Sequence, residues 1–137
     1  MTSADIVSLP KKWSSDDWQS NWVPGVQVGN VVYVSGITAT DIDGNPVGIG
    51  DFKAQVERCL EKLQDVLRRA GGTLADVAKL TTYLAPDADA DAVRAYFDIR
   101  ASYFGQHGPA STGVTVHSLH RKEYLLEIDA IAYLKED

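Results

Sequence analysis

Residues 125–134, with the sequence LLEIDAIAYL, constrain the fold of this chain more than any other segment. The strict alternation of side chains predicts a β-strand with two unlike faces. The uniformly apolar face comprises Leu126, Ile128, Ala130, Ala132 and Leu134. The mixed face comprises Leu125, Glu127, Asp129, Ile131 and Tyr133. The strand must therefore belong to a sheet that buries one face in a core and covers part of the other.

Glu127 and Asp129 are two carboxylates on one face of this apolar strand. A carboxylate among apolar neighbours is destabilised by desolvation unless it is paired, hydrogen-bonded or protonated. The pair therefore indicates either a buried ionic contact or a site where a proton is transferred. The strand by itself leaves both interpretations open.

The size, charge and cysteine content of the chain limit the number of its domains, its partners and its cellular location. Its 137 residues fit a single domain that can bury a core without metals or disulfides, with residues 1–24 as a polar, irregular N-terminal arm. A net charge of −6 repels a phosphate backbone, so we expect no nucleic-acid partner. The single cysteine excludes an internal disulfide, and the sequence has neither a secretory signal nor the apolar run of roughly 20 residues that a membrane helix needs. We therefore expect a cytoplasmic protein without a membrane segment.

The first half of the chain predicts a hairpin and a helix. Two short β-branched runs, 26–28 and 31–35, flank Gly29 and Asn30, a dipeptide typical of hairpin turns. Apolar residues at helical spacing from 52 to 70 then predict a helix. It ends at Gly71-Gly72, because glycine terminates helices readily.

The second half predicts a strand over 77–84, a helix over 89–104 and two final strands. The first two strands and the last two are joined closely enough to form antiparallel pairs. Each helix is long enough to return the chain to the same sheet. We therefore expect an α+β fold with a single antiparallel-rich mixed sheet, two helices on one face, and oligomerisation through the other face.

The second predicted helix carries an arginine on its apolar side. At 3.6 residues per turn, Arg100 falls near the middle of the buried face. That face comprises Val93, Tyr96, Phe97, Tyr103 and Phe104. This position has two interpretations. In the structural one, the aliphatic stem of Arg100 packs on this face while its guanidinium reaches water or a structural carboxylate. In the functional one, the guanidinium binds a substrate carboxylate or orients a catalytic one.

Two features that resemble reactive sites are interpreted as structural. Cys59 lies next to the apolar stripe of the first helix, which is typical of a core residue rather than a nucleophile. Asp87, Asp89 and Asp91 begin like a calcium loop, but Ala92 stands where that loop needs glycine, so we assign them to a helix start. Because no nucleotide-binding or metal-ligand motif is present either, we expect no metal and no cofactor.

Three tryptophans, Trp13, Trp18 and Trp22, punctuate the N-terminal arm. Rings of this size in a polar segment indicate that the arm docks on a surface. They either anchor the arm to the domain or to a partner subunit, or one of them forms the wall of a ligand pocket.

Three ordered blocks carry a family resemblance over nearly all of residues 22–134. They are VGNVVYVSG, QVERCLEKLQDVLRRAGGTLADVAKLTTYL, and GPASTGVTV followed by LLEIDAIAYL. On these blocks the chain resembles the Rid family of reactive intermediate deaminases, also called YjgF-like or L-PSP proteins. The resemblance implies a chorismate mutase-like fold and a homotrimer with a cleft at each subunit interface. It also implies cofactor-free hydrolysis of enamines or imines, such as 2-aminoacrylate, to ketoacids and ammonia.

The resemblance also implies candidate site residues. The glutamate with which the family holds or activates water falls on Glu127, and the Ser-Gly pair after the second strand falls on Ser35 and Gly36. A pocket aromatic near the N-terminus falls on Trp22. We therefore expect Glu127 to be catalytic and the other three to bind substrate.

The family's substrate-clamping arginine is replaced in this chain. Its position, after Pro-Ala, is Ser111, so Ser111 and Thr112 offer only hydroxyl groups to a substrate carboxylate. A neutral hydrogen bond contributes about 1 kcal/mol, whereas a desolvated arginine contact with a carboxylate is worth about 2–5 kcal/mol. Arg100 is the candidate that takes over the clamp. An asparagine often found in the family's second helix is replaced by Phe97.

The resemblance and this replacement lead to two functional hypotheses. The first is a deaminase-type hydrolase with altered specificity, acting at an intersubunit cleft on a small imine, enamine or carbonyl metabolite. The second is a non-catalytic trimeric protein that binds a small molecule or regulates a partner.

Overall fold

The computed structural model describes residues 5–9 and 22–135, which form one six-stranded mixed sheet and two α-helices. The strands are β1 (Ile6–Ser8), β2 (Gly25–Val28), β3 (Val31–Ile37), β4 (Val77–Leu84), β5 (Ala110–Thr115) and β6 (Leu126–Tyr133). The helices are α1 (Phe52–Arg69) and α2 (Ala90–Phe104), and one turn of 3-10 helix at Leu74–Asp76 precedes β4. The predicted α+β fold with an antiparallel-rich mixed sheet is confirmed.

Strand β6 lies inside the sheet, whose order is β1-β2-β3-β6-β4-β5. It pairs antiparallel with β3 on one side and with β4 on the other. The prediction that the last two strands pair with each other is wrong, because β5 pairs in parallel with β4 at the sheet edge. The apolar face of β6 needs a central position to be buried, whereas every residue of β5 is exposed and suits an edge.

Both helices begin and end where their local chemistry predicts. Asp51 caps α1 by accepting a hydrogen bond from the Ala54 backbone N–H at 3.1 Å, and Asp89 caps α2 in the same way. After α1 the chain turns at Gly71, whose φ of 86° favours glycine. The aspartate run before α2 thus serves a helix start, and no cluster of three potential metal-binding side chains occurs within residues 5–9 and 22–135.

The hydrophobic core lies between the helices and one face of the sheet. Alternate residues of β6 are completely buried there, together with the apolar stripe of α1. Each fully buried leucine or isoleucine stabilises the fold by about 1.5–3 kcal/mol, so this layer dominates the stability. We call the opposite face the open face; it leaves Tyr33 46% and Tyr133 54% exposed. An apolar face of this kind is typical of a surface that another subunit covers.

The sequence predicted an irregular N-terminal arm, but part of the arm forms a strand. Ile6–Ser8 adds to the sheet as β1, with Ile6 opposite Val28 of β2. An exposed strand edge offers unpaired backbone groups that any extended segment can satisfy. Trp13 and Trp18 lie outside the described residues. Within the described part of the chain, neither helix has the length and hydrophobicity that a membrane crossing requires.

Candidate functional site

Glu127 projects from β6 onto the open face, beside Gly36 of β3. A Cβ atom added to Gly36 would overlap Glu127 Oε2 and would lie 3.1 Å from its Cδ. Glycine therefore leaves room for the carboxylate in this position, and a side chain there would force it to shift. Of the Ser-Gly pair predicted to belong to the site, Gly36 lies beside Glu127.

The surroundings of Glu127 favour its protonated form. Burial raises the pKa of the half-buried carboxyl, and the negative charge of Asp129 on the same face raises it further. The charge interaction with His120 acts in the opposite direction and lowers the Glu127 pKa. A carboxyl group whose pKa is raised in this way is suited to transferring protons.

A tyrosine that is not among the sequence-predicted site residues belongs to this cluster. Tyr83 lies opposite Glu127 in the pairing of β4 with β6, and its hydroxyl donates a 2.9 Å hydrogen bond to Asp129 Oδ2. That hydrogen bond and burial raise the pKa of Tyr83. We call Glu127, Asp129 and Tyr83 the carboxylate cluster. Alternation along β4, which places Lys79, Thr81 and Tyr83 on one face, was the signal that could have identified the tyrosine.

Arg100 reaches the strand position at which the family clamp was expected. Its guanidinium is buried and Nη1 donates a 2.8 Å hydrogen bond to Ser111 Oγ. The guanidinium carbon lies 5.5 to 5.9 Å from the ring centroids of Tyr96, Phe97 and Phe104, where cation–π attraction stabilises the charge. Among the described residues, the ion pairs involve other arginines and none involves Arg100. A buried cation with a neutral partner can bind an added anion.

Phe97 does not lie on the buried face of α2, contrary to prediction. Its side chain is 52% exposed, and its ring packs edge-on against Tyr96 and over the Arg100 guanidinium. The helical wheel placed it next to the core, but the residues of α2 that are buried are Tyr96, Arg100 and Phe104. Phe97 instead shields one side of the cation.

Ser111 and Thr112 point to opposite faces of β5. Ser111 pairs with Leu80, a core residue of β4, and so faces the helices. Thr112 faces the other way, where its Oγ1 accepts a 2.6 Å hydrogen bond from Lys79 Nζ. Neighbouring residues of a strand always diverge in this manner, so the two hydroxyls do not act on one ligand atom.

Ser35 and Trp22 are brought together through the backbone. Ser35 Oγ donates a 2.7 Å hydrogen bond to the carbonyl oxygen of Val23, which follows the half-buried Trp22. The serine hydroxyl therefore holds the segment that enters β2. Its position beside Gly36 ties the predicted aromatic wall to β3, which pairs with the strand that carries Glu127.

Buried polar side chains of α1 support this site from the core side. Gln55 donates to the Glu123 carbonyl and accepts from the Leu125 backbone N–H, both at 2.8 Å, which positions the start of β6. Lys62 Nζ donates to the Thr38 carbonyl oxygen at 2.8 Å, just after Gly36. Burial lowers the pKa of this lysine to about 8. Cys59, as predicted, is a core residue, and burial raises its thiol pKa to about 12.

The predicted site residues thus form two groups on opposite faces of one sheet. Glu127, Gly36 and Thr112 lie on the open face, whereas Arg100 and Ser111 lie on the helix side. Within a single chain, the sheet therefore lies between the Glu127 carboxyl group and the Arg100 guanidinium.

Comparison with known proteins gives concordant results for sequence and structure. The family model described as endoribonuclease L-PSP matches residues 17–134. The 3-aminoacrylate deaminase RutC of Acinetobacter baylyi is 35% identical over 113 residues, which is 82% of this chain and 86% of that protein. A RutC family protein of Pyrococcus abyssi is 35% identical over 108 residues, 79% of this chain and 82% of the relative.

Solved structures show the same fold. YyfA of Yersinia pestis, a protein of the conserved Rid family, superposes with a TM-score of 0.82 at 26% identity, covering 95% of this chain and 100% of the other. RidA from the Antarctic bacterium Psychrobacter sp. superposes with a TM-score of 0.74 at 26% identity and covers 98% of this chain and 100% of the other.

Proposed function

This chain belongs to the endoribonuclease L-PSP family, which includes the YjgF and Rid proteins, and from that premise we propose that it hydrolyses a small imine or enamine to a carbonyl compound and ammonia. The observation that carries the proposal is Glu127, a half-buried carboxyl with a raised pKa that Gly36 makes room for. The relative named 3-aminoacrylate deaminase supports this reaction class, since 3-aminoacrylate is an enamine. A net charge of −6 argues against an RNA substrate.

The chemistry requires one group that can both give and take a proton. Protonation of an enamine at carbon forms the imine, and water then attacks the C=N carbon. Glu127 in its protonated form can supply the first proton, and as a carboxylate it can accept a proton from the attacking water. The hydroxyl proton of the resulting carbinolamine is then transferred to its nitrogen, and cleavage of the C–N bond releases ammonia and leaves the carbonyl product. The raised pKa of Glu127 favours this dual role, because it narrows the gap between the acid's pKa and neutral pH.

The substrate's anionic end is assigned to Arg100. This buried cation, shielded by three aromatic rings, donates to Ser111 at the strand position where the sequence resemblance implies a substrate-clamping arginine. A carboxylate that displaces or joins Ser111 gains a charge-assisted hydrogen bond. Thr112 and Ser35 contribute hydroxyl groups and Trp22 an apolar wall on the other side of the cleft.

We assign the complete site to the interface of a homotrimer. The separation of Glu127 and Arg100 by the sheet supports an assembly in which one copy supplies the carboxylate cluster and the next supplies Arg100. The exposed Tyr33 and Tyr133 rings on the open face also favour a covered sheet. Sedimentation equilibrium is expected to give three chain masses. A monomer that retains full activity would overturn this assignment.

The alternative is a trimer that binds or senses a metabolite without turnover. The replacement of the clamping arginine by Ser111 favours it, because a weakened clamp reduces catalysis more readily than it abolishes binding. Ammonia release from freshly generated 2-iminopropanoate and from neutral imines separates the two functions. Acceleration over buffer supports the hydrolase. Saturable binding of the corresponding carbonyl compounds, without acceleration for any imine, supports the binding protein.

A further inference from the structure

Tyr83 reaches diagonally across the open face, from the strand position of Glu127 to Asp129. In the pairing of β4 with β6 its backbone partner is Glu127, whereas the partner of Asp129 is Thr81. The Tyr83 hydroxyl nevertheless donates its 2.9 Å hydrogen bond to Asp129 Oδ2. Diagonal contacts of this kind lie within the reach of aromatic side chains in antiparallel sheets. One tyrosine thus spans the positions of both carboxyl groups.

The hydrogen bond between Tyr83 and Asp129 has a fixed direction. This hydrogen bond and burial raise the pKa of Tyr83, so the phenol keeps its proton at neutral pH and is the donor. The acceptor is a carboxylate oxygen, and a hydrogen bond that is donated to a carboxylate favours its ionised form. Tyr83 therefore stabilises a negative charge on Asp129, on the face of β6 that also carries Glu127.

Of the titratable groups around Glu127, Asp129 has the largest charge effect. After burial, the negative charge of Asp129 contributes most to the raised pKa of Glu127, and His120 acts in the opposite direction. Cys59 lies on α1, on the helix side of the sheet, where burial raises its thiol pKa to about 12 and keeps it uncharged at neutral pH. The Lys79 ammonium, on the open face, donates to a threonine hydroxyl of β5. A group that controls the charge of Asp129 therefore also controls the proton on Glu127.

We propose that Tyr83 is a positioning residue, which holds Asp129 as the anion and so keeps on Glu127 the proton for which the two carboxyl groups compete. The inference rests on the proposed hydrolysis, in which protonated Glu127 supplies the first proton. Two interacting carboxyl groups titrate as a pair, and the hydrogen bond from Tyr83 decides which of them keeps the proton longer. Without that hydrogen bond, Asp129 turns away from Glu127 or takes part of the proton. In both cases Glu127 ionises at lower pH.

The first test compares pH–rate profiles of imine hydrolysis for the wild type, Tyr83→Phe and Asp129→Asn. Phenylalanine keeps the ring and removes only the hydroxyl group. With kcat/KM expressed as a fraction of its plateau value, Tyr83→Phe should raise it by about twofold or more at pH values below the acidic midpoint, because Glu127 is then ionised over a wider range. An acidic limb that Tyr83→Phe leaves unchanged or moves to higher pH overturns the proposal.

The double variant separates a positioning role from a structural one. Since Tyr83 acts through Asp129, adding Tyr83→Phe to Asp129→Asn should cause no further shift of the acidic limb. Additive shifts overturn the proposal, because the hydroxyl would then act on Glu127 by another route. Tyr103→Phe is the matched control and should leave the profile unchanged. The pKa of Tyr103 is likewise raised by burial and by nearby carboxylates, but this residue lies on α2, on the other side of the sheet.

A direct titration of Glu127 tests the proposal independently of the reaction. Carbon-13 NMR of protein labelled at the glutamate δ-carboxyl carbon follows the ionisation of Glu127 without substrate, and Glu127→Gln identifies its signal. A lower midpoint in Tyr83→Phe than in the wild type supports the positioning role, whereas an equal or higher midpoint overturns it. If the wild-type protein accelerates the hydrolysis of no imine, the proposed function is overturned, and this titration alone decides the role of Tyr83.

Discussion

The guanidinium of Arg100 donates a 2.8 Å hydrogen bond to Ser111 Oγ, so helix α2 brings a buried cation to the strand position where the sequence resemblance predicts a substrate clamp. Since Ser111 is neutral, the pair leaves a positive charge available to a ligand. The two residues therefore define the anion-binding half of the proposed site, and Glu127 defines the other half.

Arg100→Met is expected to weaken binding of pyruvate and other small carboxylates by about 30-fold or more, because loss of a buried charged contact costs about 2 kcal/mol or more. Isothermal titration calorimetry measures the change. Arg94→Met is the matched control, since Arg94 lies on the same helix, pairs with Asp91 and is largely exposed. Arg100→Lys should retain part of the affinity. Unchanged binding in a folded Arg100→Met variant would show that the guanidinium is purely structural.

Glu127→Gln should reduce kcat for imine hydrolysis by about 10²–10⁴-fold, because the amide can neither donate nor accept the required proton. The near-identical shape of glutamine should leave the trimer and its unfolding midpoint nearly unchanged, which sedimentation and urea titration check. Turnover at the wild-type rate in this variant would remove Glu127 from the mechanism.

Asp129→Asn should shift the acidic limb of the kcat/KM profile to lower pH. Burial raises the pKa of Glu127, and the neighbouring charge of Asp129 raises it further, so removing that charge lets Glu127 ionise at lower pH. The carboxylate form, which accepts the water proton, is then populated over a wider range. A pH–rate profile from about pH 4 to 8 measures the shift. A displacement to higher pH would contradict the assignment of Glu127 as the titrating group.

Gly36→Ala should lower activity far more than an ordinary glycine-to-alanine change, because the new methyl group occupies the space of the Glu127 carboxylate. Gly108→Ala, where the methyl group meets nothing within 4 Å, is the control and should retain activity. Steady-state kinetics and urea unfolding of both variants separate loss of catalysis from loss of folding. Equal activity of the two variants would mean that Glu127 has room to move away.

Lys62 should make the protein more stable as the pH rises through the alkaline range. Burial lowers its pKa from 10.5 to about 8, so between these values the folded state has released a proton that the unfolded state still binds. Unfolding free energy then increases with pH by up to about 1.4 kcal/mol per unit. The difference between wild type and Lys62→Met, from urea titrations at several pH values, isolates this effect. A difference that does not change with pH would show that the ammonium is not desolvated.

The helix ends and the hairpin were predictable because each depends on a short pattern of neighbouring residues. The hairpin at Gly29-Asn30, the end of α1 before Gly71 and the start of α2 at Asp89 each depend on a few adjacent residues. The alternation that buries Leu126 and places Glu127 on the other face also belongs to a single strand. These features reappear in the structure with the same boundaries or within two residues of them.

Strand pairing and site assembly were not predictable in the same way. The sequence could not show that β5 pairs with β4 and not with β6. The order of the strands depends on which strand needs a central position to bury its apolar face. The same pairing turns Ser111 toward α2 and Thr112 toward Lys79, and it determines that Tyr83 joins the carboxylates.

The sequence by itself determined the family, the α+β class, the buried face of the last strand and the opposite face on which Glu127 lies. Only the tertiary structure decided that Arg100 reaches Ser111 and that the sheet separates this pair from Glu127. The physical reason is that periodicity specifies the face on which a side chain lies. Packing between segments distant in the chain specifies what that face meets.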